Sequence, residues 1–101
     1  MSPQAIRDLR PGMEGVELEV ELLELGEARQ VETRSGLQHT LREGRIRDKT
    51  GEINLTVWNE RLQDVEGLQP GERLRLHNCF VSSYKGVLSV NLGRDSSVER
   101  I

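Results

Sequence analysis

Apolar and polar residues alternate along several short stretches of this chain, and turn-forming residues separate the stretches. Because a strand sends successive side chains to opposite faces, this alternation predicts strands that bury one face. We number the predicted strands one to five in chain order, at residues 16–22, about 39–47, 53–58, 74–81 and 88–92. Helical periodicity is weak throughout, so the pattern predicts an all-β protein.

Short turn motifs connect the predicted strands. Pro11-Gly12 closes an N-terminal segment, and Arg34-Ser35-Gly36 predicts a hairpin loop ahead of strand two. Asp48-Lys49-Thr50-Gly51 predicts a tight turn, so strands two and three should form a hairpin. Residues 82–86 are predicted to form a loop between strands four and five.

A short helical connection is predicted between strands three and four. Residues 59–69 carry leucine and valine at three-residue spacing, and Pro70-Gly71 ends the segment. Five strands and one short helix in this order are compatible with the five-stranded Greek-key barrel called the OB-fold. The pattern alone also leaves an SH3-like barrel open.

Trp58 occupies an unusual position in predicted strand three. Alternation places it on the polar face of that strand, together with Asn54 and Thr56. A large flat side chain is costly to expose, and stacking on a nucleobase is one established use for it. Trp58 therefore indicates nucleic-acid binding, with Asn54 and Thr56 as candidates for hydrogen bonds to bases or sugars.

The length of 101 residues predicts one domain, covering residues 1–101, around one modest core. This core should be aliphatic, because phenylalanine, tyrosine and tryptophan each occur once. No apolar run approaches the roughly 20 residues that span a bilayer, and Met1-Ser2-Pro3-Gln4 lacks the regions of a signal peptide. We expect an intracellular protein without membrane partners, located in the cytoplasm or nucleoid, or in the nucleus of a eukaryote.

Charge is distributed unevenly along the chain. The net charge is −3, but residues 14–27 hold six glutamates and no lysine or arginine, which leaves +3 for the rest. Basic residues cluster between positions 29 and 49, and they are Arg29, Arg34, Arg42, Arg45, Arg47 and Lys49. One surface can therefore be basic, as phosphate binding requires, although a solvated face explains any single arginine equally well.

The candidates for catalysis or metal binding are His39, His77 and Cys79. Straightforward alternation places His77 and Cys79 on one face of predicted strand four, but no third group is evident that would orient them. The lone cysteine has no partner for a disulfide or a zinc site, and no glycine-rich phosphate-binding loop is present. We expect neither an enzyme nor a metal or cofactor site.

The chain resembles the small single-stranded DNA-binding proteins of archaeal and eukaryotic type, the replication protein A-like simple OB-folds. The resemblance spans nearly the whole chain, and its matching stretches are residues 8–13, 26–31, 48–51, 53–58, 68–72, 78–86 and 88–93. Each turn motif is weak by itself, but their order and spacing are specific. The resemblance implies largely sequence-independent binding of single-stranded DNA in replication, repair or recombination.

The resemblance also implies which residues contact the strand. The family's base-stacking positions fall on Trp58, Phe80 and Tyr84. Phosphate contacts are expected from nearby basic residues, of which we favour Arg34, Arg42, Arg45 and Lys85. The alternation along predicted strand two is irregular, so the sequence does not show which of its arginines faces the ligand. Whether the ligand is DNA or RNA is also open.

Phe80 is the difficult member of this set. An even number of positions separates it from Leu74 and Leu76, so simple alternation would place it on their face and bury it in the core. A bulge near Asn78-Cys79 would reverse the parity, turning Cys79 inward and Phe80 toward the ligand. The sequence leaves both arrangements open.

A different class of function remains beside nucleic-acid binding. An OB-fold can act as a protein-interaction module or as the small subunit of a larger nucleic-acid-processing complex. The acidic face of predicted strand one would then be the docking surface, and Trp58 would contact a protein. Partners in repair or replication are compatible with either function.

Overall fold

The computed structural model describes residues 3–101, so Met1 and Ser2, which enter the signal-peptide expectation, lie outside the described residues. The strands in this part of the chain are β1 (Val16–Leu25), β2 (Arg29–Glu32), β3 (Gln38–Asp48), β4 (Gly51–Trp58), β5 (Arg73–Tyr84), β6 (Val87–Leu92) and β7 (Ser97–Arg100). Short 3₁₀ helices lie at Ile6–Asp8 and Asn59–Val65. No helix within residues 3–101 is long and apolar enough to cross a membrane.

Five of these strands close into a barrel. The sheet runs in the order β1-β3-β4-β6-β5, and β5 also pairs with β1, which closes the circle. β4 and β6 are parallel, whereas the other neighbours in the barrel are antiparallel. Predicted strands one to five correspond to β1, β3, β4, β5 and β6, so the predicted Greek-key OB-fold is confirmed, including the hairpin of β3 and β4.

Two short strands lie outside the barrel, and the sequence analysis missed both. β2 pairs only with β3 and extends that hairpin, while β7 pairs with the first residues of β5. Each strand has four residues, and most of them are exposed. With four residues each and only one partly buried, their sequences are too short to show the alternation that predicts a strand.

The connection between β5 and β6 corrects the predicted loop at residues 82–86. β5 continues to Tyr84, and only Lys85 and Gly86 form the turn to Val87. Both turn residues have positive φ, 51° for Lys85 and 81° for Gly86, as a type I′ two-residue hairpin requires. The predicted helical connection before β5 is present as the 3₁₀ helix at Asn59–Val65.

The core is aliphatic, as predicted, and it includes the N-terminal segment. Ile6 and Leu9 pack against the residues that the barrel strands bury. The Ile6 backbone N–H donates to Oδ2 of Asp48 over 2.9 Å, and the Arg7 N–H donates to Oγ1 of Thr50 over 3.1 Å. The turn between β3 and β4 therefore holds the N-terminal segment on the barrel.

Candidate nucleic-acid interface

The outer face of the sheet consists of the side chains of β3, β4, β5 and β6 that point away from the core. Residues paired across neighbouring strands lie on the same face, because their side chains project together. The pairing forms two rows, which are Arg45, Asn54, Ser89 and Ser82, and then Glu43, Thr56, Asn91 and Phe80. Trp58 continues the face at the end of β4, as alternation predicted.

Two contacts orient the Trp58 ring, and a buried residue lies opposite it on the neighbouring strand. Its indole Nε1–H donates a hydrogen bond to Oδ1 of Asn91 over 3.0 Å. The His39 ring approaches edge-on, with ring centroids 6.1 Å apart and planes at 90°. Leu41, the β3 partner of Trp58, is buried on this face but does not belong to the barrel core. Trp58 is thus half-buried and oriented before any ligand arrives.

Phe80 lies on the outer face because β5 contains a bulge. Between two pairs with β1, Val16 with Cys79 and Leu18 with Leu76, β5 has one residue more than β1. We assign the extra residue to Asn78, whose backbone φ is +55°. The bulge that would turn Cys79 inward and Phe80 outward is therefore confirmed.

The Phe80 ring is 39% exposed and lies over Gly93. A Cβ atom added at Gly93 would stand 3.0 Å from Cε1 of the ring, so glycine leaves the space that the ring occupies. Nδ2 of Asn91 donates to the Phe80 carbonyl oxygen over 3.3 Å. Asn91 therefore links the Trp58 ring to the backbone that carries Phe80.

Tyr84 ends β5 and is 74% exposed. The Lys85 ammonium lies 5.4 Å from the centroid of its ring, within the range of a cation–π contact. Val87, directly opposite in the hairpin, is also exposed. Tyr84 and Lys85 together present a flat apolar surface and a positive charge at the end of the outer face.

The predicted phosphate-binding residues do not all lie on this face. Arg45 does, and its Nη1 donates to Oδ1 of Asn54 over 2.8 Å. Arg34 is exposed in the turn between β2 and β3. Arg42 pairs with Val57, a core residue, so it lies on the opposite face of β3, where its Nε donates to the Gly26 carbonyl over 2.7 Å. The structure therefore does not bring Arg42 together with the aromatic rings.

The glutamates on the acidic face of β1 are paired with arginine and histidine side chains of neighbouring strands. Glu19 pairs with Arg75 over 3.0 Å, and Glu21 pairs with Arg47 over 3.1 Å. Oε1 of Glu17 lies 2.6 Å from Nδ1 of His77, and this hydrogen bond, with one from the Asn78 backbone N–H, lowers the pKa of Glu17 below its ordinary value of 4.5. These glutamates are part of a ladder of ion pairs and hydrogen bonds between strands.

The expectation that His77 and Cys79 share a face is wrong, because the bulge at Asn78 separates them. His77 points outward to Glu17, whereas Cys79 is buried in the core. Burial, together with the nearby Glu17 charge, raises the pKa of the Cys79 thiol to about 12. The two groups therefore cannot form a thiolate and base pair, and residues 3–101 contain no cluster of three or more potential metal ligands.

Comparison with known proteins agrees with this geometry. A family model described as single-stranded DNA binding protein Ssb-like, OB fold, matches residues 9–100. The chain belongs to this Ssb-like family. The family resemblance found in the sequence is therefore confirmed.

Among relatives, the chain is 30% identical over 95 residues to the single-stranded DNA binding protein Ssb of Saccharolobus solfataricus. The match covers 94% of this chain but only 62% of that protein, so the chain spans less than two thirds of its relative. Apart from Asp8, the sequence stretches that carried the resemblance lie within residues 9–100, which the family model matches.

Solved structures show the same fold. The replication factor A related protein of Methanobacterium thermoautotrophicum superposes with a TM-score of 0.82 at 23% identity, covering 99% of this chain and 91% of that one. A replication protein A heterotrimer bound to single-stranded DNA contains a similar domain, with a TM-score of 0.76 at 16% identity, covering 97% of this chain and 24% of that one.

Sequence reasoning missed two residues that position the rings, Asn91 and Gly93. Asn91 alternates with core residues of β6 like any polar strand residue, so its sequence context carries no signal. Gly93 follows β6 and reads as an ordinary end-of-strand glycine. Only the packing of β4, β5 and β6 shows that both residues contact the aromatic side chains.

Proposed function

We propose that this chain binds single-stranded DNA by stacking bases on Trp58, Phe80 and Tyr84. The observation that carries the proposal is that the bulge at Asn78 exposes Phe80 on the same face as Trp58. All three aromatic residues of the chain, histidine aside, then lie on one surface, outside a core that does not need them. Unpaired bases present π-faces, and such a surface accepts them with weak sequence preference.

Stacking should dominate the affinity at moderate salt. Each base stacked on an aromatic side chain contributes about 1 to 3 kcal/mol by alanine substitution, whereas an exposed charge pair contributes about 0 to 1 kcal/mol. Trp58 is held by Asn91 and His39, so little side-chain freedom is lost when a base binds. This preorganisation favours binding by the free protein without rearrangement.

Phosphate contacts come from the cations beside the rings. Arg45 lies on the outer face and Lys85 beside Tyr84, while Arg34 is exposed at the tip of the β2–β3 hairpin. Asn54 and Thr56 lie between Arg45 and Trp58 and can hydrogen-bond to bases or sugars. We leave Arg42 out of this set because its guanidinium lies on the opposite face of β3.

We further propose a binding role without catalysis, inside the cell, in DNA replication, repair or recombination. The family name and the named relatives support single-stranded DNA as the ligand. RNA remains a ligand to be compared, because stacking surfaces accept either strand. Proteins of repair or replication are the partners we expect. The acidic β1 face is a weak candidate for docking them, because its glutamates are already paired.

The experiment is a titration of Trp58 fluorescence with an unstructured DNA oligonucleotide, at low and then moderate salt. We expect strong quenching by the single strand, little response to duplex DNA, and affinity that falls as salt rises. Tyr84→Ala should weaken binding by about 1 to 3 kcal/mol without changing stability, since the side chain is 74% exposed. Absence of binding by fluorescence and by a second method would reject the proposal in favour of a protein-interaction role.

A further inference from the structure

A cleft of about 500 Å³ lies beside the outer face, where the N-terminal segment meets the first residues of β4 and β6. Arg7, Arg10 and Arg45 line it, and Glu52 is its one acidic residue. Val87 and Leu88 supply apolar wall. Three arginines against one glutamate give this arginine cleft a formal charge of +2, although the whole chain carries −3.

The segment that supplies Arg7 and Arg10 is held firmly. Ile6 and Leu9, three residues apart on a 3₁₀ turn, are both buried in the core. The backbone N–H of Arg7 is bound to Thr50, as described above. Arg7 and Arg10, also three residues apart, are left exposed with the cleft between them and the barrel. Their backbone loses little freedom when a ligand binds.

Both arginines keep donors available for an anion. Nη1 of Arg10 donates only to backbone carbonyls, those of Leu9 over 3.0 Å and of Arg7 over 3.3 Å, and no ion pair within residues 3–101 includes Arg10. Arg7 lies 4.0 Å from the exposed Asp8 carboxylate, a contact of little strength in water. A guanidinium with free N–H groups binds a phosphate through two parallel hydrogen bonds.

We propose that the arginine cleft binds the DNA strand where it leaves the outer face, with Arg7 and Arg10 on the phosphodiester. The proposal rests on the function proposed above. The cleft is continuous with the outer face, because Arg45 and Asn54 belong to both. Val87, which lines the cleft, lies directly opposite Tyr84 in the hairpin. A DNA strand stacked on Tyr84 therefore reaches the cleft next. The apolar wall then faces the adjoining nucleoside.

A second cleft on the barrel provides a contrast. It is larger, about 900 Å³, but its charged residues balance, and they are Glu19, Glu21, Asp48, Arg47, Lys49 and Arg73. The two sides of the N-terminal segment therefore differ in charge, and only one is continuous with the aromatic rings. Arg73 is exposed in this balanced cleft and serves as a control for the loss of one positive charge.

The test compares the wild type with the Arg7→Gln, Arg10→Gln double variant on single-stranded oligonucleotides of about 4, 8 and 12 nucleotides. We expect the double variant to bind the shortest oligonucleotide normally and to lose about tenfold in affinity for the longest. Its slope of log K against log salt should fall by about 1.4, since each single-strand phosphate contact contributes about 0.7. Arg73→Gln should change neither length dependence nor slope.

The outcomes separate this inference from the function it rests on. Equal slopes and equal length dependence in the wild type and the double variant would overturn the cleft proposal while leaving base stacking intact. Failure of the wild type to bind any oligonucleotide would instead remove the proposed function. If thermal melting shows that the double variant is misfolded, the single variant Arg7→Gln replaces it. The Arg7 side chain makes no hydrogen bond to other described residues, so its loss should not affect folding. The slope of log K against log salt should fall by about 0.7 in this variant.

Discussion

The indole Nε1–H of Trp58 donates a hydrogen bond to Oδ1 of Asn91, 33 residues later in the chain, over 3.0 Å. Asn91 is 3% exposed although it belongs to the outer face, because the neighbouring side chains cover it. Its Nδ2 donates in turn to the Ser82 hydroxyl over 2.9 Å and to the Phe80 carbonyl. One amide thus connects Trp58 of β4 and Phe80 of β5, the proposed stacking residues, through β6.

Asn91→Ala should weaken DNA binding and lower stability together. Loss of the hydrogen bond to Trp58 frees the indole, which we expect to cost about 1 kcal/mol in binding, close to fivefold in affinity. Unfolding free energy should fall by about 1 to 2 kcal/mol, measured by urea titration. Ser89→Ala, two residues earlier on the same face of β6, is the control and should leave both quantities within error. Unchanged affinity in Asn91→Ala would mean that Trp58 is positioned without this bond.

Gly93→Ala should displace the Phe80 ring, because the new methyl group would stand 3.0 Å from Cε1. The ring is partly exposed and can move, so we expect little change in melting temperature but a loss of up to about tenfold in affinity, within the range of one lost stack. A double-mutant cycle assigns the cause. If Gly93→Ala lowers affinity equally in a Phe80→Ala background, the effect does not pass through Phe80.

The arginines of β3 should differ in their contribution to salt dependence. Arg45→Ala removes a cation from the outer face and should reduce the slope of log K against log salt by about 0.7. Arg42→Ala removes the same charge from the opposite face and should leave the slope unchanged, while loosening the contact with Gly26. The two variants are matched in charge and strand, so a lower slope for Arg42→Ala would contradict the face assignment.

Stability should fall in acid as two carboxylates are protonated. Hydrogen bonds from His77 and Asn78 lower the pKa of Glu17. Partial burial acts to raise the pKa of Asp48, but hydrogen bonds from Thr50, Ile6 and Gly51 outweigh it and lower this pKa below 3.8. Because both pKa values are depressed in the folded state, the stabilisation is complete above the ordinary values and is lost as pH falls through the folded ones.

Urea midpoints from about pH 7 to about pH 2.5 measure this loss. Glu17→Gln should be less stable than the wild type at neutral pH and should lose less stability on acidification below about pH 4.5. Glu14→Gln is the control, since Glu14 is exposed and accepts no hydrogen bond from the described residues. A parallel acid profile for Glu17→Gln and the wild type would show that the Glu17 contacts do not contribute.

Strand positions and the face of Trp58 followed from the sequence because side-chain direction along a strand is a local property. Alternation in residues 53–58 was sufficient to place Ile53 inward and Trp58 outward, and both assignments hold in the structure. Five strands and a short helix in this order were compatible with the Greek-key barrel, but the pattern alone left an SH3-like barrel open, and the strand pairing decided between them. Alternation did not predict β2 and β7 because each has only four residues, of which one is partly buried.

Which residues meet across the sheet was decided only by the tertiary structure. Parity left Phe80 either buried or exposed, and the choice came from the extra residue that the pairing of β1 with β5 places at Asn78. Alternation also did not show which face of β3 holds Arg42 and which holds Arg45. The register with β4 places them on opposite faces. Contacts of Asn91 with Trp58 and of Gly93 with Phe80 join distant segments. Local alternation determines which residues of a regular strand share a face. Long-range register, bulges and packing determine which way that face points and which side chains it meets.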